Sequence, residues 1–201
     1  MAERRSALAS VLVAGGRDGA DGTRRLRLGE IRGWSLIQVA AFPARREAVE
    51  RALLPLVGGR LPGRVDEVID AAGLRLMRIG PEQIWIIGHD ASGLERQLHQ
   101  AIAANLGAVT SLSHSRTRIS IEGEAAGAVL MKGVPLDFHP DSFRIDQAAL
   151  TGLHHTPVLI HRAGVSRFEI YAMRSFAESV WESLADAALE FGYEVVPGDA
   201  A

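Results

Sequence analysis

The chain is 201 residues long and nearly neutral, with a formal charge of −2 and 47% apolar residues. This composition is sufficient for a packed core and excludes global intrinsic disorder. No cysteine is present, which excludes disulfides, cysteine-ligated metal clusters and thiol catalysis. The charge also argues against the basic surface that nucleic-acid binding needs, so no nucleic acid is expected as a partner.

Apolar runs in the sequence are short. The run from Val11 to Ala14 is typical, and a bilayer span needs roughly 18 apolar residues. Residues 1–10 also lack the apolar region of a signal peptide. The sequence therefore predicts a cytoplasmic protein with no membrane segment.

Residues 1–29 are predicted to form an N-terminal arm. The run from Val11 to Gly16 has the look of a strand that enters a dinucleotide-binding loop. The glycine spacing does not match G-x-G-x-x-G, however, and residues 17–27 have no helical period. Nucleotide binding at this segment is therefore not expected.

Residues 30–108 are predicted to form a β-α-β-β-α unit. A strand is expected over 34–41, a helix after Pro43, and two strands over 74–79 and 83–87. A second helix follows, with Ser92 and Glu95 as a capping box at its start. Gly107 is predicted to end this helix in a left-handed conformation.

Residues 109–197 repeat the same order. Strands are expected over 116–121, 157–162 and 167–171, with helices over 124–132 and from Ser175 to Gly192. Ser175, again with a glutamate three residues later, lies 83 residues after Ser92, and Gly192 lies 85 after Gly107. The sequence thus predicts an α+β fold of two interlocked β-α-β-β-α units, about 84 residues apart.

Two catalytic or metal-binding arrangements can be considered. Ser113, His114 and Asp137 have the residue types of a nucleophilic triad, but adjacent residues of an extended chain point to opposite faces. Asp137, His139 and Asp141 could share one face and ligate a divalent metal. Capping of local turns is the alternative role for these loop residues, and neither arrangement forms a complete active site.

Acidic residues recur at every fourth position along the last predicted helix. Two readings remain open: a face in contact with water, or a docking strip for an arginine-bearing partner. The four residues are Glu178, Glu182, Asp186 and Glu190.

Several motifs resemble the gamma-subunit family of heterotetrameric sarcosine oxidase. They are Ser111-Leu-Ser-His-Ser-Arg-Thr-Arg-Ile-Ser-Ile-Glu-Gly123, Leu130-Met-Lys-Gly133, Leu136-Asp-Phe-His-Pro140, Val158-Leu-Ile-His-Arg162 and Phe168-Glu-Ile-Tyr171. With residues 34–43 and the loop at Leu61-Pro62, the resemblance covers roughly residues 26–196.

The resemblance implies a fold similar to the folate-binding domain of the glycine-cleavage T-protein. It also implies a complex in which the alpha subunit carries FAD and NAD, the beta subunit covalent FMN and the delta subunit zinc. The gamma chain packs against alpha and is expected to hold no cofactor. The complex oxidises sarcosine to glycine with hydrogen peroxide, and tetrahydrofolate takes up the one-carbon unit as 5,10-methylenetetrahydrofolate. Gamma is expected to be required, non-catalytic and inactive alone.

No catalytic, cofactor-binding or metal-binding residue is predicted in this chain. A polar set that the resemblance marks is predicted instead as a face for a partner subunit: Ser113, His114, Arg116, Lys132, Asp137, His139 and Arg174. Local capping by the same side chains is the alternative.

Two other functions remain open at this stage. One is a gamma-type subunit of another N-methyl amino acid dehydrogenase, such as one acting on N-methylglutamate. The other is a free-standing folate-binding or aminomethyl-transfer protein.

Overall fold

The computed structural model describes residues 5–89 and 92–196, which form two compact units. One unit comprises residues 33–114. The other comprises residues 5–32 together with residues 115–196. No helix in these ranges is long and apolar enough to cross a bilayer.

The described residues contain twelve strands and four α-helices. Up to residue 89 these are β1 (Gly15–Arg17), β2 (Leu26–Ile31), β3 (Ser35–Ala41), α1 (Arg46–Leu53), β4 (Val68–Ala71), β5 (Leu74–Gly80) and β6 (Gln83–Gly88). From residue 92 they are α2 (Ser92–Ala101), β7 (Gly107–Ser111), β8 (Arg116–Glu122), α3 (Ala126–Met131), β9 (Ala148–Leu153), β10 (Thr156–Arg162), β11 (Arg167–Met173), α4 (Ala177–Ala188) and β12 (Tyr193–Val196).

Each unit is built on one sheet. The unit of residues 33–114 has the strand order β4-β5-β6-β3-β7, and every neighbouring pair is antiparallel. The other unit has the order β1-β12-β2-β8-β11-β10-β9, in which β12 and β2 form the parallel pair. The two orders share the run of a short edge strand, a hairpin and a central strand.

The structure confirms the α+β class and the internal repeat. β6 begins at residue 83 and its counterpart β11 at 167, a separation of 84 residues. Each unit also contains strands that were not predicted. β4 and β9 precede the hairpins, and β7 and β12 follow the second helices. The observed unit is therefore β-α-β-β-β-α-β.

The core of the unit of residues 33–114 lies between one sheet face and its two helices. Strand residues Ile37 and Ile86 face each other across β3 and β6, and both are fully buried. Leu53 of α1 and Leu98 of α2 pack into the same cluster. Alternate apolar positions in the strands and helical spacing in the helices produce this shared face.

Arg78 holds the loop that precedes β4. Its guanidinium is almost completely buried and donates to the carbonyl oxygens of Pro62 (2.7 Å) and Pro81 (3.0 Å). It also donates to the Glu50 carboxylate at 2.6 Å. Burial alone would raise the pKa of Glu50, but hydrogen bonds from Arg46 and Arg78 more than offset this and lower it.

The core of the other unit is formed under α3 and α4. Trp181 of α4 is 4% exposed and belongs to one cluster with Ile119 and Ile170 of the sheet. Phe138 packs edge-on against Phe143 and Phe168, with ring centroids 5.8 and 5.4 Å apart. This geometry is a favourable one for aromatic pairs.

Two of the predicted helix ends are wrong. Residues 174–176 form a 3-10 turn, so α4 begins at Ala177 and Ser175 cannot cap it; its first turn has no side-chain cap. Gly107 starts β7 and has no positive φ, whereas Gly192 does have one, at +68°. The side chain of Ser92, the other predicted cap, lies outside the described residues.

The N-terminal arm predicted over 1–29 is, in its described part, built into the sheet and core. β2 lies between β12 and β8, and Leu8 and Leu28 are fully buried. These strand pairs join residues nearly a hundred positions apart, for which the local sequence carries no signal. The chain therefore divides after residues 32 and 114, where 29 and 108 were expected.

Candidate functional site

The seven residues predicted as a partner face are distributed over both units. Ser113 and His114 end the unit of residues 33–114, and His114 is exposed. The Ser113 hydroxyl lies 3.0 Å from the backbone nitrogen of Leu36 and 3.3 Å from its carbonyl oxygen. These contacts fix the end of β7 beside β3, and they give Ser113 a structural role rather than that of a nucleophile.

Lys132 joins the ends of α3 and α4. Its ammonium donates to the carbonyl oxygen of Ala187 at 2.8 Å and lies 2.7 Å from the Glu190 carboxylate. It also lies 4.9 Å from the centre of the Phe191 ring. A cation at a helix C-terminus offsets the partial negative charge there, so Lys132 stabilises α4 directly.

Asp137 caps its own loop. Its carboxylate accepts hydrogen bonds from the Ser142 hydroxyl (2.6 Å) and from the backbone of His139 (2.9 Å), and these bonds lower its pKa. The His139 ring accepts a bond from the backbone of Asp141 at 3.3 Å. Within residues 5–89 and 92–196, no three carboxylate or imidazole groups are placed to hold a metal ion.

Arg116 and Arg174 are brought together by the fold. Arg116 opens β8, where it pairs across the sheet with Met173, the last residue of β11. Arg174 follows directly and begins the 3-10 turn. Both arginines line one open cleft of about 710 Å³, which we call the arginine cleft. This volume is within the range of ligand and peptide sites.

The remaining walls of the arginine cleft come from three separate segments. Ala7 lies on the N-terminal side, Ser115 precedes β8, and Ser179 and Glu178 belong to the first turn of α4. The Glu178 carboxylate accepts a hydrogen bond from the Ser10 hydroxyl. The cleft thus carries two guanidinium groups and one carboxylate, and that carboxylate is already hydrogen-bonded.

Hydrogen bonds hold the backbone around the arginine cleft. Arg174 donates from its backbone nitrogen to the carbonyl oxygen of Ser115 (2.9 Å) and from its side chain to that of Arg5 (2.6 Å). Arg116 is half-buried, and this burial lowers the pKa of its guanidinium. Arginine stays protonated under such shifts, so Arg116 is a cation partly removed from water.

A buried polar cluster on β8, β10 and β11 was not predicted from the sequence. Arg118 and Glu169 form a bidentate pair at 2.9 and 3.1 Å, and the Tyr171 hydroxyl donates to the same carboxylate at 2.9 Å. His161 is fully buried with Nδ1 3.4 Å from that carboxylate. The signal was present: Arg118 stands between apolar positions of a strand, on the face opposite Ile119.

Arg162 serves a different purpose at the end of β10. It is 5% exposed and donates to the carbonyl oxygens of Phe143 and Val165, both at 2.7 Å. Its guanidinium also lies 5.4 Å from the centre of the Phe168 ring. The loop before β9 and the turn after β10 are therefore fixed to one side chain.

Comparison with known proteins supports the resemblance seen in the motifs. The model of the sarcosine oxidase gamma subunit family matches residues 38–190. The chain belongs to this family. A sarcosine oxidase subunit gamma from Arthrobacter sp. is 33% identical over 190 residues, which cover 94% of this chain and 90% of the relative. The corresponding protein of Corynebacterium sp. (strain U-96) is 32% identical over 189 residues, covering 94% and 91%.

Solved structures agree with the family assignment. A chain of the heterotetrameric sarcosine oxidase from Corynebacterium sp. U-96, in complex with pyrrole 2-carboxylate, matches with a TM-score of 0.78 at 31% identity. The match covers 94% of this chain and 96% of that one. Aminomethyltransferase T of the Bartonella henselae glycine cleavage system matches with a TM-score of 0.63 at 20% identity, covering 86% and 48%. The second match confirms the predicted T-protein-like fold.

Proposed function

We propose that this chain is the gamma subunit of a heterotetrameric sarcosine oxidase and that its role in the complex is structural. One observation carries the proposal: the chain matches, over almost the full length of both, a chain of a solved heterotetrameric sarcosine oxidase. The described side chains support a structural role, because the buried polar groups bond to one another and hold strands and loops.

We propose the alpha subunit as the direct partner of this chain in a cytoplasmic complex with beta and delta. In this arrangement FAD and NAD belong to alpha, FMN to beta and zinc to delta. The sequence supports this division, since it lacks cysteine for a thioether link to flavin and lacks a dinucleotide fingerprint. The complex then converts sarcosine to glycine with hydrogen peroxide, and tetrahydrofolate accepts the one-carbon unit.

We propose that the contact with alpha is centred on Arg116 and Arg174. Both line the arginine cleft, and both guanidiniums are available at its walls. Lys132 and Asp137 have hydrogen bonds within their own unit that account for their presence. His114 and His139 are exposed and remain part of the proposed face.

We expect the isolated chain to be colourless, inactive toward sarcosine and unable to bind tetrahydrofolate at micromolar concentration. The physical reason is that neither a flavin-attachment residue nor a dinucleotide loop occurs in its sequence. Absorbance spectroscopy and calorimetric titration with tetrahydrofolate measure these properties. A stoichiometric flavin spectrum would overturn the structural role, and micromolar folate binding would favour a free-standing folate-binding protein.

A further inference from the structure

The arginine cleft has an excess of positive charge. Arg116 and Arg174 contribute two guanidiniums, and the one carboxylate, of Glu178, already accepts a hydrogen bond from Ser10. The cleft also lies at the start of α4, where backbone N–H groups add partial positive charge. Guanidinium groups bind carboxylates with short, charge-assisted hydrogen bonds, so the complementary ligand group is a carboxylate.

Apolar surface lies beside this charge. Met173, which lines the cleft, is 40% exposed, and Phe176 of the following turn is 43% exposed. Met173 and Arg116 are paired across β11 and β8, so the apolar and the charged group are held side by side on one sheet. A ligand that uses both groups carries an apolar residue next to its carboxylate.

The shape of the cleft favours a polypeptide over a free small acid. Sites for small molecules bury most of the ligand surface, whereas this cleft is open along one side. The backbone bonds of Arg174 to Ser115 and to Arg5 hold its walls in place before anything binds. A preorganised open cleft loses little conformational freedom when a chain segment is laid into it.

We propose that the arginine cleft binds an acidic side chain, carried next to an apolar residue on an extended segment of another subunit of the complex. This inference rests on the proposed function and names the chemistry of the contact. The carboxylate binds between Arg116 and Arg174, and the apolar residue covers Met173 and Phe176. Assembly through this contact weakens as salt concentration rises, because salt screens the charges at its exposed rim.

Charge reversal tests the carboxylate part of the proposal. The variants Arg174→Glu and Arg116→Glu are co-expressed with tagged alpha and the other subunits, and the chain that co-purifies is measured over a series of salt concentrations. We expect each variant to weaken assembly about tenfold or more, as loss of a close interfacial charge pair does. Arg174→Lys keeps the charge and is expected to retain more binding. The matched control is Arg144→Glu, an exposed arginine of the same unit.

A photo-crosslinker tests the identity of the occupant without altering either arginine. Met173 is replaced by p-benzoylphenylalanine in the full complex, which is irradiated, digested and analysed by mass spectrometry. We expect a crosslink to a peptide of another subunit in which an apolar residue adjoins Asp or Glu. Crosslinks confined to this chain, or to a segment without an acidic residue, would overturn the proposal.

Two further results separate the possible failures. If the unaltered chain does not co-purify with alpha, the proposed function is wrong. If it co-purifies and Arg174→Glu does so equally well, the arginine cleft is not the contact. Sodium succinate is expected to leave the melting temperature of the isolated chain unchanged; a clear rise would identify a free dicarboxylate as the ligand and overturn the assignment to a subunit.

Discussion

Replacing Trp181 with alanine is expected to lower the free energy of unfolding by about 3 to 5 kcal/mol, the usual loss when a large aromatic is removed from a core. Trp181 is 4% exposed and packs in one cluster with strand residues of the sheet. Alanine leaves a cavity that the surrounding side chains fill only in part. Urea denaturation followed by circular dichroism measures the loss.

The control for this experiment is Glu182→Ala, the next residue on α4, which is exposed. Alanine favours a helix at least as well as glutamate does, so this change is expected to stay within about 0.5 kcal/mol. Trp181→Phe keeps an aromatic ring in the core and is expected to lose less than the alanine variant. A loss below about 1 kcal/mol for Trp181→Ala would contradict the position of α4 against the sheet.

Replacing Glu169 with glutamine is expected to lower the free energy of unfolding by about 3 to 5 kcal/mol, because it leaves the buried Arg118 charge without its bidentate carboxylate. The same carboxylate accepts the Tyr171 hydroxyl. Combining Glu169→Gln with Arg118→Met removes both charges, so the double variant is expected to lose less than the sum of the two single losses.

The matched control lies on the same two strands. Glu122 and Arg167 are partners across β8 and β11, but both side chains are more than one-third exposed and their closest atoms are 3.8 Å apart. Glu122→Gln is expected to change stability by at most about 1 kcal/mol, as for other exposed pairs. Equal losses for Glu122→Gln and Glu169→Gln, or strictly additive losses in the double variant, would show that burial does not set the strength of the Arg118 pair.

Hydrophobic periodicity predicted the helices and the central strands, because a helix or strand with one buried face shows a local repeat. It missed β4 and β9, which are short strands at sheet edges, and β2, whose position depends on pairing with β8. The capping box at Ser175 is a sequence match that the chain does not use, since a 3-10 turn precedes α4. Such choices depend on long-range packing, which a local pattern does not contain.

The candidate site was predictable only in part. Arg116 and Arg174 were chosen with five other polar residues, and nothing in the sequence distinguished them from Lys132 or Asp137, which bond within their own unit. Pairing of β8 with β11 places Arg116 beside Met173 and so brings together residues 58 positions apart in sequence, 174 and 116. Family motifs indicated the complex, whereas the cleft required the fold.

Co-expression of this chain with alpha, beta and delta subunits, beside an identical expression that omits it, tests most directly whether it is a required structural subunit. We expect native mass spectrometry to find one particle containing all four chains, with hydrogen peroxide produced from sarcosine. Without this chain, we expect both the particle and the activity to be lost. An alpha–beta–delta particle that forms and oxidises sarcosine at the full rate would contradict the account.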